Sequence, residues 1–593
     1  MSPTLIESPD RSPVVSAGDS APPSQLTAFR VIWVLFALLS GGLAMGSVDA
    51  APELWGDSLF GQHWIETGRL AKTTTGSFTA IGFPWINLNH LSDLLIGWTE
   101  LRFGSPGLLI GKFVLSQILL GMILLQSRRM QVSWGMSGVC VILASVGLSS
   151  HWQVRPQILG YTLFGGMLVS LSWIFQGWEG RWNLQYWQAL KLFIHQGVDY
   201  HWKRMRCLWL SIGLFALWTN TDSSSAIGLS VFVGYLALRS LEALTLWGWE
   251  GEGRVRRLIL MSCVSAVGTC ATPYGLRLHQ WMLEAGGQAQ PELVDWQPVA
   301  FATVEALPFC GLFILALWAL TRSRRLKDFT HLVILGLMAW QGFRHVWLSP
   351  FFVLLVAFWI PAHAQSAWSR LKKRSENTPH NLNLPRSPWW ACAGLSLGLA
   401  FVGMELVSRA SRLEVDTSRY PVAAMQFLED RQLRGRTVVS PSWAQYALAC
   451  FAQESDPLRR STVAYDARHT SSYSPEVVDI YFDFHLGRGY PGKRDRSRKS
   501  APLDPNKALR YENPELFVLD RQQMASVKTL ESHSAEWTVL YQDSIAQIWG
   551  LKKRFDTPGD VDYLPPGDRQ ISESPQLGIV AYPALPVMGK TTR

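Results

Sequence analysis

Charge is what this sequence has little of. Asp, Glu, Lys and Arg make up 17% of its 593 residues, where soluble chains carry about 25%. A chain folded wholly in water is a poor description of it. The seven cysteines are scattered, with no CxxC and no His at zinc spacing, so they give neither a metal finger nor a disulfide framework. Cys263 and Cys270, two turns apart in one apolar run, read as small buried hydrophobes. No internal repeat at solenoid spacing is present, and the two halves of the apolar region lack the matched broken helices of an inverted-repeat transporter. Ionisable residues are scarce inside the apolar runs, Glu405 standing alone, which argues against ion-coupled transport.

What the sequence does have is apolar and aromatic: 48% hydrophobic residues and 28 Trp, yet a mean hydropathy of only +0.09. Two unlike parts produce such an average. Apolar runs begin near Val31, Pro106, Ser133, Gln157, Leu208, Ala226, Leu258, Leu307, Phe329, Val346 and Pro388, and at about 20 residues per spanning helix they predict about eleven crossings. The stretch "LAMGSVDA" near residues 43–50 resembles a cleavage site, but the many later runs make the first one an uncleaved anchor. Residues 1–29, rich in Ser and Pro, are expected to be a disordered cytoplasmic N-terminus.

The basic residues settle between the apolar runs rather than in one patch, which disfavours a nucleic-acid partner. Arg128 and Arg129, then Arg254, Arg256 and Arg257, then Arg322, Arg324, Arg325 and Lys327, then Arg370, Lys372, Lys373 and Arg374 fall in alternate loops. Positive residues stay on the inner side, so the first long loop, residues 50–105, faces outward, and an odd number of crossings puts the C-terminal region there too. The inner loop 177–207 contains "NLQYWQALKLFIHQG", whose apolar residues recur at helical spacing as in a helix lying on the inner leaflet. Residues 30–410 are thus the membrane core. After Ser411 the short runs "RTVVS", "STVAY", "ELFVL", "WTVLY" and "SIAQIW" alternate with helical patterns, predicting an outer α/β domain over 411–555. Within it "GKRDRSRKSAPLDP" reads as an exposed loop, and 556–593, rich in Pro and Gly, reads as a flexible tail.

Chemistry gathers at the outer boundaries. The loop 50–105 carries apolar residues at helical spacing in "DSLFGQHWIETGRL" and "NLNHLSDLLIGWTELRF", so it is expected to fold back as half-buried helices with Asp57 at the mouth of the bundle. There Asp57 is either the N-cap of a helix starting at Ser58 or a base able to take a proton from a hydroxyl. Other outer segments add His151 and Arg155, Asn220 and Asp222, Tyr274, Arg277 and His279, and Arg344 with His345. A cation so close to hydrocarbon needs a partner. Phosphate suits the planar fork of Arg, as does an anionic lipid headgroup. A divalent metal is compatible with the outer acids, and no spacing requires one.

The Asp after the first helix, then "ETG", "SFT" and "PWINLNHL", with "VRPQILGYTLF", "LWTNTDSSSAIGL", "TPYGL", "VDWQPV" and "FRHVWLSPF" further on, resembles bacterial members of the GT-C glycosyltransferase superfamily, which includes protein O-mannosyltransferases and lipid A aminoarabinose transferases. "YPVAAMQFLEDRQLRGR", "AYDARHTSSYSPEVV" and "EWTVLYQDSIAQIW" resemble the C-terminal domain that accompanies such a core. The resemblance implies a polytopic α-helical membrane protein that moves a sugar from a polyprenyl-phosphate donor to an acceptor hydroxyl (lipid, glycan or protein) outside the cytoplasm of a bacterial inner membrane. It implies Asp57 as the catalytic acid of the loop, with Arg155, Arg344 and His345 near the donor phosphate. In three places the sequence departs from the pattern. Ser58 follows Asp57 and Gly76 precedes "SFT" where many relatives carry a second acid beside or soon after the first, His90 replaces an aromatic, and the "NTD" of Asn220 to Asp222 stands where a His is common. The first departure leaves a single-acid mechanism, a different acid such as Glu53 or Asp93, or a catalytically silent lipid-binding scaffold. His90 is then a polar group behind the base.

Overall fold

The computed structural model describes residues 23–178, 202–247, 252–284, 296–301, 303–376, 388–466, 468–489, 496 and 500–588. The membrane part consists of α1 (Pro23–Ala44), α2 (Leu54–Thr67), α3 (His90–Arg129), α4 (Trp134–Leu148), α5 (Gln157–Ile174), α6 (Leu210–Thr221), α7 (Ser225–Trp247), α8 (Glu252–Gly268), α9 (Leu276–Glu284), α10 (Leu307–Arg322), α11 (Phe329–Arg344), α12 (Ser349–Trp359), α13 (Pro361–Glu376) and α14 (Pro388–Arg409). Local chemistry sets several boundaries. The Ser133 side chain accepts the Met136 N–H at the start of α4, and the Asp328 side chain accepts the Thr330 N–H at the start of α11, each satisfying a donor the helix leaves open. Gly68 closes α2 at φ 64°, its N–H on the Trp64 carbonyl, a left-handed turn that glycine adopts without a Cβ clash.

Among the described residues seven helices are long and apolar enough to cross a membrane, or eight if Val346–Trp359 and Pro361–Lys372, bent by 61°, form one broken span. Three further apolar runs of the eleven form shorter helices. The runs from Leu208, Leu258 and Phe329 fold as helices of 12, 17 and 16 residues, and at 1.5 Å per residue these reach roughly 18–26 Å, short of a 30 Å hydrocarbon layer. α12 is buried at every residue from Ser349 to Trp359, as a helix apolar on all sides must be. α3, α4, α5, α10, α11 and α13 pack against it. The expected surface helix in 177–207 lies mostly outside the described residues.

The bundle also holds charge that the apolar runs concealed. Arg239 on α7, with no solvent exposure, bonds Glu242 at 2.6 Å, Asp328 at 2.5 Å and the Tyr235 hydroxyl at 3.0 Å. Glu405, the acid that stood out in sequence, lies at a half-exposed position paired with Arg409. Breaking a buried ion group from one side leaves an uncompensated charge, which costs more than the intact group contributes. Asp328→Ala is expected to destabilise the bundle by about 3–5 kcal/mol, read as a lowered unfolding temperature in detergent.

The C-terminal domain follows the strand expectations. Its elements are β1 (Glu414–Asp416), α15 (Val422–Asp430), β2 (Arg436–Val439), α16 (Ala444–Phe451), β3 (Thr462–Val463), α17 (Pro475–Leu486), β4 (Leu516–Asp520), α18 (Met524–Ser532), β5 (Trp537–Gln542), β6 (Ala546–Leu551), β7 (Gln570–Ile571) and β8 (Ile579–Ala581). The main sheet runs β3-β2-β4-β6-β5-β7. β2 is parallel to β3 and β4, whereas β6 is antiparallel to β4 and β5, giving a mixed sheet whose apolar runs are covered by helices. Of the expected basic loop, Arg496 pairs with Asp483, and 490–495 and 497–499 lie outside the described residues.

The expectation of a flexible tail from 556 is corrected. β7 joins the edge of the main sheet and β8 pairs antiparallel with β1, while Tyr582 is buried. Pro and Gly marked turns between short strands here, and the segment gains its order from distant partners. The outer loop packs on the same domain. Phe78 N–H donates to the Val463 carbonyl and Val463 N–H to the Gly76 carbonyl, so the "GSFT" segment extends the sheet beyond β3. Loop and domain therefore occupy one end of the bundle.

Candidate active site

The segment "WGDSLFG" at the start of α2 assigns a separate task to nearly every residue. Trp55 is buried among Tyr420, Tyr446 and Tyr582, with ring centroids 4.8–5.4 Å away, and its indole N–H donates to the Pro583 carbonyl at 2.9 Å. This anchors α2 to the C-terminal domain. A Cβ on Gly56 would meet the Gln445 side chain at 2.3 Å, and one on Gly61 would meet the Asp93 carbonyl at 1.9 Å. The two glycines let α16 approach one side of α2 and the start of α3 the other. Ser58 bonds Glu100, which also accepts from the Tyr582 hydroxyl at 3.1 Å.

α3 breaks at Gly104, whose φ of 63° and ψ of −160° are not helical. The turns before the break belong to the outer loop, and the crossing runs from Pro106. Asp93 lies in those first turns, held by the Asn87 amide at 2.7 Å. Nearby, the His90 ring nitrogens meet the Asn87 carbonyl at 3.0 Å and Asn220 Oδ1 at 2.8 Å, and Ser92 donates to the Thr221 carbonyl. The Tyr274 hydroxyl accepts the Asn87 N–H at 3.0 Å. Polar side chains thus hold the loop to the ends of α6 and α9.

Asp57 and Asp93 face one cavity of about 660 Å³, walled by the outer loop, the bundle mouth and the C-terminal domain. Asp57 is not an N-cap, because α2 begins at Leu54 and its Ncap is Glu53. Both acids are nearly out of solvent, at 7% and 3% exposure, and each keeps one carboxylate oxygen without a partner among the described residues. Burial raises the Asp57 carboxyl well above its ordinary range, Asp93 and Glu53 raise it further, and Arg155 opposes them. Burial likewise pushes Asp93 up to about 8, against the Asn87 hydrogen bond and the Arg468 charge. A carboxyl raised in this way holds its proton to higher pH and is a stronger base once ionised.

A carboxyl whose folded pKa exceeds its unfolded value binds more protons folded than unfolded between the two, so stability falls as pH rises through that window. For Asp93 the window runs from about 4 to about 8. Asp93→Asn is expected to flatten this fall. The gap between its unfolding temperature and that of the wild type should grow by several °C from pH 5 to pH 8, measured by thermal unfolding in detergent.

The remaining expected residues occupy several places. Glu53 lines the cavity and pairs with Arg155 at 3.1 Å. Arg155 lines an adjoining acidic recess with Asp49, Glu414, Asp416 and Asp520. Asp222 is fully buried behind Gly160 and accepts the Ser224 N–H before α7; burial raises its carboxyl too. His345 meets the Trp296 carbonyl at 2.9 Å, and Trp296 lines the cavity. Arg344 is exposed, stacked 5.3 Å from Trp340, and does not line the cavity. His151 bonds Ser349 and His279 bonds Thr269; Arg277 is exposed.

Sequence reasoning passed over the wall that the C-terminal domain supplies, including Gln445, Arg468, His485 and Gln523. The available signal was "YDARHTSSY", where an acid two residues before an arginine and a tyrosine beyond make a local ion cluster. Among the described residues no three of His, Cys, Asp and Glu come together as a metal site. The acids meet as a pair, with the unpartnered amide oxygens of Asn89 and Gln445 in the same wall.

No protein-family model matches the sequence, and comparison with curated proteins gives no match either. Among solved structures the chain is similar to an archaeal oligosaccharyltransferase, AglB from Archaeoglobus fulgidus, in complex with an inhibitory peptide and a dolichol-phosphate. The two are 10% identical over 84% of this chain and 70% of that one, with a TM-score of 0.48. It is also similar to ArnT from Cupriavidus metallidurans bound to undecaprenyl phosphate, at 11% identity over 92% of this chain and all of that one, with a TM-score of 0.42.

Proposed function

We propose that the protein is a membrane glycosyltransferase that moves a sugar from a polyprenyl-phosphate donor to an acceptor hydroxyl on the outer face of a bacterial inner membrane, its N-terminus cytoplasmic. The observation that carries this reading is the pair of buried carboxyls, Asp57 and Asp93, each with an unpartnered oxygen on a cavity at the bundle mouth. The resemblance of the outer-loop motifs to GT-C enzymes supports the same chemistry. The acid lacking beside Asp57 in sequence has a spatial counterpart in Asp93.

In this mechanism the Asp57 carboxylate takes the acceptor O–H proton as that oxygen bonds the anomeric carbon. The bond from the carbon to the donor phosphate breaks, and polyprenyl phosphate leaves with the electron pair. A raised pKa makes Asp57 a stronger base once ionised. Asp93 sets the proton affinity of the pair, and Glu53 with Arg155 supports α2 from its first turn. A hard divalent cation, if one is used, would be held by the unpartnered oxygens of Asp57, Asp93, Asn89 and Gln445 in this wall, donors of the type such ions take, and would supply charge neutralisation for the departing phosphate.

The direct test is native mass spectrometry of wild type and Asp57→Asn purified in mild detergent. A glycosylated polyprenyl phosphate enriched in the variant is the expected result, since donor that binds without a base is not consumed. Absence of any phosphate-bearing isoprenoid from both forms, with other lipids retained, would remove the donor from the reading.

A further inference from the structure

Arg468 has a donor edge with nothing to bond. Its Nε and Nη2 are taken by Asp466 at 2.7–3.1 Å, and Asp466 is itself saturated by the Arg468 N–H at 2.9 Å and the Tyr473 hydroxyl at 2.8 Å. The guanidinium lies 4.8 Å from the ring of Phe60 and 4.7 Å from that of Trp85, both on the outer loop. Its side chain is 5% exposed and that of Asp466 is fully buried. Nη1 alone is left without a partner among the described residues, in the wall of the cavity that holds Asp57 and Asp93. A buried donor left unpaired costs roughly 1–3 kcal/mol, and a donor edge held by one carboxylate and two rings is organised in advance for one acceptor.

Among the described residues no other cation competes for that task. Arg468 is the one Arg or Lys in the wall among the described residues. Arg155 is engaged by Glu53, Arg344 lies outside on Trp340, and Lys112 donates to the Ser47 carbonyl. We infer that Arg468, delivered by the C-terminal domain rather than by the membrane core, is the phosphate-binding group of this cavity, presenting Nη1 to an oxyanion oxygen beside the acid pair. The inference rests on the proposed function for the placing of that phosphate next to Asp57. It makes the site incomplete until the domain docks, because the ring clamp on Arg468 comes from the loop and its ion clamp from the domain. Asp466 is a positioning residue that aims the fork.

The test is binding of farnesyl phosphate, farnesol and inorganic phosphate to the full-length protein in detergent, followed by calorimetry. Arg468→Gln leaves Asp466 buried and unpaired and risks misfolding, so Arg468→Gln/Asp466→Asn, which removes both charges, is measured beside it, with unfolding temperature as the control. The expected result is that wild type prefers farnesyl phosphate to farnesol and that the double variant loses that preference at least ten-fold while binding farnesol unchanged. Arg468-dependent binding of inorganic phosphate alone would keep the oxyanion assignment, place the phosphate on the acceptor, and defeat the lipid-donor reading. A folded double variant that prefers farnesyl phosphate as strongly as wild type overturns the assignment and leaves the proposed function standing. A wild type with no phosphate preference overturns the assignment as well.

Discussion

Asp57→Asn is expected to lower sugar transfer by about 10²–10⁴-fold, the usual contribution of a positioned base, with donor affinity nearly unchanged. The substitution keeps the shape of the side chain and removes its charge and its ability to take a proton. Its free oxygen faces the cavity, so no structural hydrogen bond is lost with the charge. The pH profile provides the sharper readout. Asp93 raises the proton affinity of Asp57, so Asp93→Asn should move the rising limb of the wild-type rate profile to lower pH, because Asp57 then ionises more readily. An acid limb unmoved by Asp93→Asn, or a normal rate in Asp57→Asn, would take Asp57 out of the proton transfer.

Much of the architecture was legible because it is local. Runs such as "ELFVL" and "WTVLY" carry β-rich apolar stretches bounded by turn residues, and they became β4 and β5. Asp57 stood out because it follows the first apolar run inside an aromatic and glycine-rich segment. What was not legible depends on pairs far apart in the chain. Nothing near Gly61 announces that its missing Cβ admits the Asp93 backbone, and nothing near Trp55 announces an acceptor 528 residues away. Arg468 was hidden differently: in sequence it is a common surface residue, and only its Asp466 and aromatic clamps make it a buried one. Helix ends were not legible either: short helices such as α6 end at polar residues that the bundle buries, Thr221 and Asp222 among them.

Truncation after Ser574 is expected to be nearly as damaging to transfer as loss of the base, although it removes no residue of the cavity wall. The segment lost includes β8, which pairs with β1, and Tyr582, Pro583 and Ala584. Tyr582 is 6% exposed and packs on Trp55; deleting a buried aromatic costs about 3–5 kcal/mol. Two further donors, the Trp55 indole and the Tyr446 hydroxyl, lose the carbonyls of Pro583 and Ala584, at roughly 1–3 kcal/mol for each that stays buried and unpaired. Trp55 and Asp57 share the first turns of α2, so freeing the first moves the second relative to Asp93. The measurements are unfolding temperature and protease sensitivity of the C-terminal domain, together with the transfer rate. Tyr582→Phe separates the contributions: it keeps the ring on Trp55 and removes only the bond to Glu100, so a loss near 1 kcal/mol with most transfer retained is expected. A truncated chain with wild-type stability and rate would show that α2 holds Asp57 in place without the C-terminal segment.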